Sequence, residues 1–106
     1  MSFDSENEGE DGGAVKFYIN SEGHCYCPVC GDLARVKDWW PYSPEGYPLY
    51  DICGCCNFQF GYDDGGEAPY EKSWENYRES WLAGKVSGAM KMTLSQKQEQ
   101  LKHIGL

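Results

Sequence analysis

Two features of the sequence predict a small α+β fold, in which short β-hairpins and a helix share one core. The first feature is a doubled CxxC motif, formed by Cys27 with Cys30 and by Cys53 with Cys56. The second is a run of aromatic residues at helical spacing, which comprises Tyr70, Trp74, Tyr77 and Trp81. Doubled CxxC pairs are typical of turns that bring four thiolates to one metal ion. The aromatic spacing indicates one face of an amphipathic helix.

Segments with β-forming residues flank both cysteine pairs. Residues 14–20 precede the first pair and residues 49–52 precede the second, while Phe58 and Phe60 alternate with polar residues after it. Alternation of this kind is typical of a half-buried strand. We therefore expect two zinc knuckles on short antiparallel β-hairpins, which is the arrangement of a small zinc ribbon. Residues 14–106 are expected to form this single domain.

The doubled motif predicts a tetrahedral site of four cysteine sulfurs, with Cys27, Cys30, Cys53 and Cys56 as the metal ligands. Gly31 follows the first pair and Asn57 the second, and both residue types tolerate the positive φ that a tight knuckle needs. Thiolate tetrahedra accept zinc and iron, and we expect zinc. Four protein ligands leave no open position for a catalytic water, so we do not expect an enzyme.

Two further cysteines lie beside the predicted ligands. Cys25 precedes the first pair and Cys55 lies inside the second. Each could be an alternate ligand or a redox-active thiol, but we expect both side chains to point away from the metal as buried filler. His24 is not needed as a ligand because four cysteines complete the site.

The region that follows residue 69 predicts two helices. Pro69 is suited to the first helical position and Gly84 to the C-terminal cap of an amphipathic helix. Ser95, with Gln98 three residues later, could cap a short last helix. Leu101 and Ile104 would then face the core.

Residues 1–13 contain five acidic residues and no basic residue. A segment of this composition buries too little apolar surface to offset its ordering entropy, so we expect an acidic, disordered tail. The segment has no signal-peptide pattern, and the chain has no apolar run of membrane-spanning length. We therefore expect a soluble cytoplasmic protein, in which cysteines favour metal ligation over disulfides.

The whole chain has a net charge of −8, and residues 38–79 contain nine acids and two bases. Contact with nucleic acid requires clustered lysine and arginine, so the balance disfavours a direct nucleic-acid role. It would suit a basic protein partner, or it could serve solubility alone.

Two segments are candidates for a partner-binding surface. Trp39 and Trp40 lie in a proline-rich loop, where they could anchor a partner or fill the core of a small domain. An acidic turn follows, with Asp63, Asp64 and Glu67. It could be an electrostatic contact surface, or a solvated turn that leads into the helix.

Four segments resemble the bacterial cysteine-rich CPCC-type proteins, which are small zinc-ribbon proteins. They are CPVCG at 27–31, YDICGCCNFQFGYDD at 50–64, YEKSWENYRESWLAG at 70–84 and QLKHIG at 100–105. The chain has Gly54 and Asn57 where that family has Pro and Gly, and these changes spare the cysteines. The resemblance implies an immunity-type inhibitor that neutralises a bacterial toxin by docking an acidic face on it.

Two other functions fit the same knuckles. Rubredoxins are similar in their paired CxxC knuckles and acidic surface, which would imply an iron-loaded electron carrier. A zinc-ribbon accessory protein in transcription or translation is the other possibility, acting through a protein subunit and not through nucleic acid. Metal content and the visible spectrum separate zinc from iron.

Overall fold

The structure, a computed structural model, describes residues 17–66 and 69–106. Helix α1 spans Glu71–Leu82 and helix α2 spans Leu94–Leu101, and a 3₁₀ turn, Lys102–Ile104, continues α2. The remaining described residues form turns and loops, which include the two cysteine knuckles. The predicted tail, residues 1–13, lies outside the described residues.

The predicted zinc ribbon on antiparallel β-hairpins is wrong. Residues 17–66 and 69–106 contain no β-strand, and the chain pairs only at isolated antiparallel bridges. These bridges join Ile19 to Cys25, Tyr26 to Leu33, Tyr42 to Pro48, and Ile52 to Gln59. Each cysteine pair is therefore closed by one bridge and not by a ladder.

The loop between the knuckles explains why pairing does not extend into strands. Asp38 and Tyr50 have φ angles of 60° and 64°, which turn the backbone out of the extended conformation on either side of the loop. Pro41, Pro44 and Pro48 lie between them and have no amide hydrogen to donate to a ladder. The β-forming residues at 49–52 are consequently limited to the single bridge at Ile52.

Helix α1 carries the predicted aromatic stripe. Tyr70 is its N-cap residue, and the helix ends at Leu82, before Gly84 with a φ of 75°. Of the four predicted aromatic residues, Tyr70, Trp74 and Trp81 are buried and Tyr77 is half-buried. The stripe faces the core, because its rings meet those of the second knuckle and the loop before it.

Helix α2 begins two residues before the position that the sequence suggested. Thr93, and not Ser95, is the N-cap; its hydroxyl accepts a hydrogen bond from the Gln96 amide, while the Gln96 side chain accepts one from the Thr93 amide. This reciprocal pair is a capping box. Leu101 and Ile104 are buried, as expected.

Lys97 joins the two helices. Its ammonium group donates to the carbonyl of Trp81 at 2.5 Å and lies 5.1 Å from the centre of the Trp81 ring. A cation at the C-terminal end of α1 opposes the negative end of the helix dipole and gains a cation–π contact. The buried lysine therefore fixes α2 against the end of α1.

The core is built around Tyr42. Its ring stacks on that of Tyr70, with the ring centres 4.3 Å apart. The ring centres of Phe60 and Trp74 lie 5.6 Å and 5.8 Å from that of Tyr42. Its hydroxyl donates to the Asp64 carboxylate at 2.5 Å and accepts from the Trp74 indole at 3.0 Å. Because these polar groups satisfy one another, the aromatic core tolerates a buried carboxylate.

Candidate metal centre

The four predicted ligands lie together. The sulfur atoms of Cys27, Cys30, Cys53 and Cys56 all lie within 4.8 Å of one another, and all four residues are buried. The Cys30 and Cys53 sulfurs are 3.7 Å apart. Zinc–sulfur bonds of about 2.3 Å set the edge of a regular tetrahedron at about 3.8 Å. The cluster can therefore hold one metal ion, and the predicted grouping of these cysteines is confirmed.

The two knuckles have the same backbone hydrogen bonds. In the first, the Cys27 amide donates to Asp32 at 2.7 Å and the Gly31 amide donates to Cys27 at 2.8 Å. In the second, the Cys53 amide donates to Phe58 and the Asn57 amide donates to Cys53, each at 2.9 Å.

One residue of each knuckle has the left-handed conformation that closes the turn. Gly31 has a φ of 82° and Asn57 a φ of 67°, as the sequence predicted for these two positions. Because hydrogen bonds and φ angles repeat at equivalent positions, the two CxxC motifs present their sulfurs in the same way to a shared point.

The neighbouring sulfurs shift the pKa values of Cys30, Cys53 and Cys56. Hydrogen bonding from Cys27 lowers the pKa of Cys53, while the same neighbour raises the pKa of Cys30 and of Cys56. Several thiolates in one small buried volume repel one another, so close thiols cannot all lose their protons without a compensating charge. A bound cation removes this repulsion and lets all four ionise, which is the state that metal ligation needs.

Arg78 from helix α1 reaches the first knuckle. Its Nε donates to the carbonyl of Val29 and its Nη2 to that of Pro28, each at 2.7 Å. Burial lowers the pKa of Arg78, while Glu75 and the thiolates oppose that shift, and a guanidinium remains charged in any case. With a divalent ion bound, four thiolates would give the centre a net charge of −2, and the Arg78 guanidinium would offset part of that charge.

Local sequence gave no sign of this contact, because the residues that Arg78 hydrogen-bonds lie 49 and 50 positions away in the chain. Helical periodicity was the available signal. Arg78 lies four residues after Trp74 and is therefore close to the buried face of α1.

The C-terminal residues cover the first knuckle. The side-chain amide of Gln100 donates a hydrogen bond to the backbone carbonyl of Cys30 at 2.9 Å. The His103 Nδ1 donates to the carbonyl of Gly31 at 3.1 Å, and its ring lies 4.9 Å from that of Tyr26. The chain packs so closely here that a Cβ on Gly31 would lie 2.4 Å from the Gln100 carbonyl oxygen.

The second knuckle is covered by α1 and by the loop between the helices. The Tyr77 hydroxyl donates to the carbonyl of Cys56 at 2.9 Å. The Met90 amide donates to the carbonyl of Cys55 at 2.7 Å, and the Asn57 side chain donates to Ser87 at 3.0 Å. Both knuckles are thus held by later parts of the chain.

Neither remaining cysteine belongs to the four-sulfur group. The Cys25 thiol donates to the carbonyl of Tyr26 at 3.4 Å, and burial, followed by the Cys27 charge, raises the pKa of Cys25 to about 12. The Cys55 sulfur lies 3.5 Å from the Met92 sulfur and 3.4 Å from the side-chain nitrogen Nε2 of Gln100.

The two tryptophans of the loop are half-buried. The Trp39 indole donates to Asp51 at 2.6 Å, and its ring meets Phe60 edge-on at 6.4 Å. The Trp40 indole nitrogen is buried and has no hydrogen-bond partner among the described residues. Both side chains therefore contribute to packing as well as to the surface.

The predicted acidic turn divides into residues with different roles. Asp63 is exposed, and its carboxylate accepts from the Gln59 amide at 2.8 Å. Asp64 is only 3% exposed and accepts from Tyr42 and from the amides of Gly61 and Gly66, so it stabilises the core and offers no contact surface. Glu67 lies outside the described residues.

Comparison with known proteins gives one informative match. The chain is 30% identical, over 69 residues, to "Uncharacterized protein YoaQ" of Bacillus subtilis strain 168; the match covers 55% of this chain and 58% of that protein. No family model and no solved structure matches the chain. Neither α1 nor α2 has the length and apolar character that a membrane crossing requires.

Proposed function

We propose that the four-cysteine centre holds a zinc ion whose role is structural. Four buried sulfurs within 4.8 Å of one another are a donor set that zinc prefers, and they leave no ligand position for substrate or water. Zinc in such a site stabilises the fold and does not perform catalysis. Its binding would hold together two knuckles that otherwise share no strand pairing.

We infer that the protein is a metal-stabilised binding module for a basic protein partner. The observation that carries this proposal is the charge of residues 38–66, which contain five acids and no lysine, arginine or histidine. Four of these acids are exposed: Asp38, Glu45, Asp51 and Asp63. A continuous stretch without a cation repels nucleic acid and attracts a cationic protein surface.

The proposed biological role is that of an immunity-type inhibitor. The resemblance to bacterial CPCC-type proteins supports it, as does the absence of a catalytic constellation around the centre in the described residues. An acidic protein of this size can neutralise a toxin by covering a basic active-site cleft. Such an inhibitor would act in the cytoplasm.

The test is rescue of growth by co-expression. Each gene adjacent to the native locus is expressed in a heterologous bacterium, and any product that stops growth is paired with this protein. We expect wild-type protein to restore growth, and the double variant Asp51→Lys/Asp63→Lys to fail. Glu99→Lys, an exposed charge reversal on α2, is the matched control and should still rescue. Absence of a toxic neighbour and of any rescue would refute the role.

An electron carrier is the second candidate, since a tetrahedron of four thiolates also accepts iron. Metal analysis of protein expressed with both metals in excess decides between them. Colourless protein with one zinc per chain supports the structural role. Red, iron-loaded protein would favour electron transfer.

A further inference from the structure

The loop before the second knuckle and the turn after it expose several large apolar side chains. Residues 47–52 and the adjoining turn at 61–63 present five exposed apolar side chains: Tyr47, Leu49, Tyr50, Ile52 and Tyr62. Tyr50 is 61% exposed and Tyr62 is 75% exposed. Large aromatic residues are enriched where proteins bind partners, because their rings give much contact area at a low entropy cost.

The two segments lie side by side. The Phe60 amide donates to the carbonyl of Asp51 at 3.0 Å, and Ile52 forms a bridge with Gln59. A Cβ on Gly61 would lie 2.5 Å from the Tyr50 ring, so that ring rests directly on the Gly61 backbone, next to Tyr62. We call the three exposed residues Tyr50, Ile52 and Tyr62, which these backbone contacts bring near one another, the tyrosine patch.

Tyr50 holds its exposed position at an energetic cost. Its φ of 64° lies in the left-handed region, which a bulky aromatic residue disfavours. Strained residues of this kind cluster at active sites, ligand clamps and switch regions. The Tyr50 ring nevertheless remains exposed while one edge of it rests on the Gly61 backbone.

Charge and shape around the patch indicate the chemistry of its partner. Asp51 and Asp63 adjoin it, and the loop that carries it has no cation. Beside Ile52 opens a groove of about 610 Å³ whose exposed apolar lining includes Leu33, Val36 and Met90. The charged residues that line the groove are Asp32, Asp51 and Arg35.

We propose that the tyrosine patch and this groove dock a partner segment in which arginine alternates with aliphatic residues. Arginine stacks on tyrosine rings and pairs with the neighbouring carboxylates. The aliphatic side chains enter the groove. This assignment rests on the proposed binding function and specifies the surface and the partner chemistry. It moves the contact away from Asp64, which is buried in the core.

The test uses a fluorescein-labelled peptide of four Arg-Leu repeats and measures fluorescence anisotropy on zinc-loaded protein. We expect saturable binding by wild-type protein, and at least tenfold weaker binding by Tyr50→Asn and by Tyr62→Ala. Tyr18→Ala, which removes an exposed tyrosine elsewhere, should bind as wild type does. A Glu-Leu peptide should not bind. Asparagine tolerates positive φ, so Tyr50→Asn should unfold in urea at the same or a higher concentration than wild type.

Three outcomes would overturn the assignment. The first is no binding of the Arg-Leu peptide by wild-type protein, and the second is equal binding by both patch variants. The third is a dimer in sedimentation equilibrium that Tyr50→Asn dissociates, because the patch would then belong to a second copy of the chain. If Tyr50→Asn still rescues growth, the patch assignment is wrong and the inhibitor role stands. If the peptide binds to the patch but the wild-type protein rescues no growth, the patch stands and the inhibitor role is wrong.

Discussion

Gly31 lies where the first knuckle meets helix α2, and there is no room for a side chain at this position. Its φ is 82°, and a Cβ would lie 2.4 Å from the Gln100 carbonyl oxygen. Left-handed strain and overpacking cost about 1–3 kcal/mol each, so Gly31→Ala should lower the free energy of unfolding by about 3 kcal/mol.

Urea unfolding of the zinc-loaded protein measures this effect. Gly54→Ala is the matched control, because a Cβ at Gly54 meets nothing within 4 Å. Equal stability of the two variants would show that α2 does not pack on the knuckle in this way.

The hydroxyl of Tyr42 joins the Trp74 indole to the Asp64 carboxylate inside the core. Tyr42→Phe removes a hydrogen bond to a buried carboxylate and leaves both partners incompletely satisfied. We expect a loss of about 2 kcal/mol in the free energy of unfolding. Tyr62→Phe, at an exposed tyrosine, should change stability by less than about 0.5 kcal/mol in the same thermal or urea unfolding experiment.

Single residues were predictable from sequence where chemistry and spacing alone decide the structure. The CxxC spacing predicted the sulfur cluster, and Gly31 and Asn57 take the left-handed positions expected of them. Burial of Asp64 was not predictable, because its acidic neighbours indicate a solvated turn. Only the three-dimensional fold brings the Tyr42 hydroxyl, 22 residues away in the chain, to that carboxylate.

At the scale of elements, the helices were predictable and the hairpins were not. Aromatic spacing identified α1 because a period near 3.6 extends over the whole element. The expected β-hairpins failed because each knuckle satisfies its own backbone through the turn, so one bridge is enough to close it. Prolines and positive φ angles then prevent the adjoining residues from forming a ladder.

Two substitutions test whether the N-cap of α2 is Thr93, as the structure has it, or Ser95, as the sequence suggested. Thr93→Ala removes the capping box and should cost about 1 kcal/mol in the free energy of unfolding. Ser95→Ala, at the position that sequence favoured, should cost almost nothing, since Ser95 lies inside the helix and is exposed. The reverse order of the two effects in urea unfolding would contradict the observed cap.

Arg78 connects α1 to the metal centre. We expect Arg78→Ala to lower zinc affinity roughly 10-fold, as losing an outer partner of a metal site commonly does. The measurement is competition with a chelator of known affinity. Arg78→Lys should recover part of the loss, because lysine keeps the charge but not the paired geometry.

Lys72→Ala is the control for Arg78, because it removes an exposed cation from the same helix. Its zinc affinity should equal that of wild type. If Lys72→Ala and Arg78→Ala weaken zinc binding equally, the effect comes from net charge and not from the contact with the first knuckle.

For the whole molecule, the metal centre is expected to decide whether the chain folds. The described part of the chain has no sheet, and the knuckles meet through four sulfurs. Removal of zinc with a chelator should therefore abolish the near-ultraviolet circular dichroism of the aromatic core, and added zinc should restore it. Retention of that signal by metal-free protein would show that the core folds independently.

Two cysteine variants serve as controls for the metal experiment. Cys53→Ser should lose stoichiometric zinc, because it removes a member of the four-sulfur group. Cys25→Ala should keep one zinc per chain, since its thiol bonds to the Tyr26 carbonyl and lies outside the group.

The cover over the first knuckle has a consequence for the order of folding and for metal exchange. The four clustered cysteines lie between residues 27 and 56, whereas the hydrogen bonds from Gln100 and His103 join residues 70 and 72 positions apart. Closing the shorter loop costs less chain entropy, so metal capture is expected to precede docking of α2. In the finished protein, zinc would then leave through local detachment of α2, at a rate set by that opening and not by global unfolding.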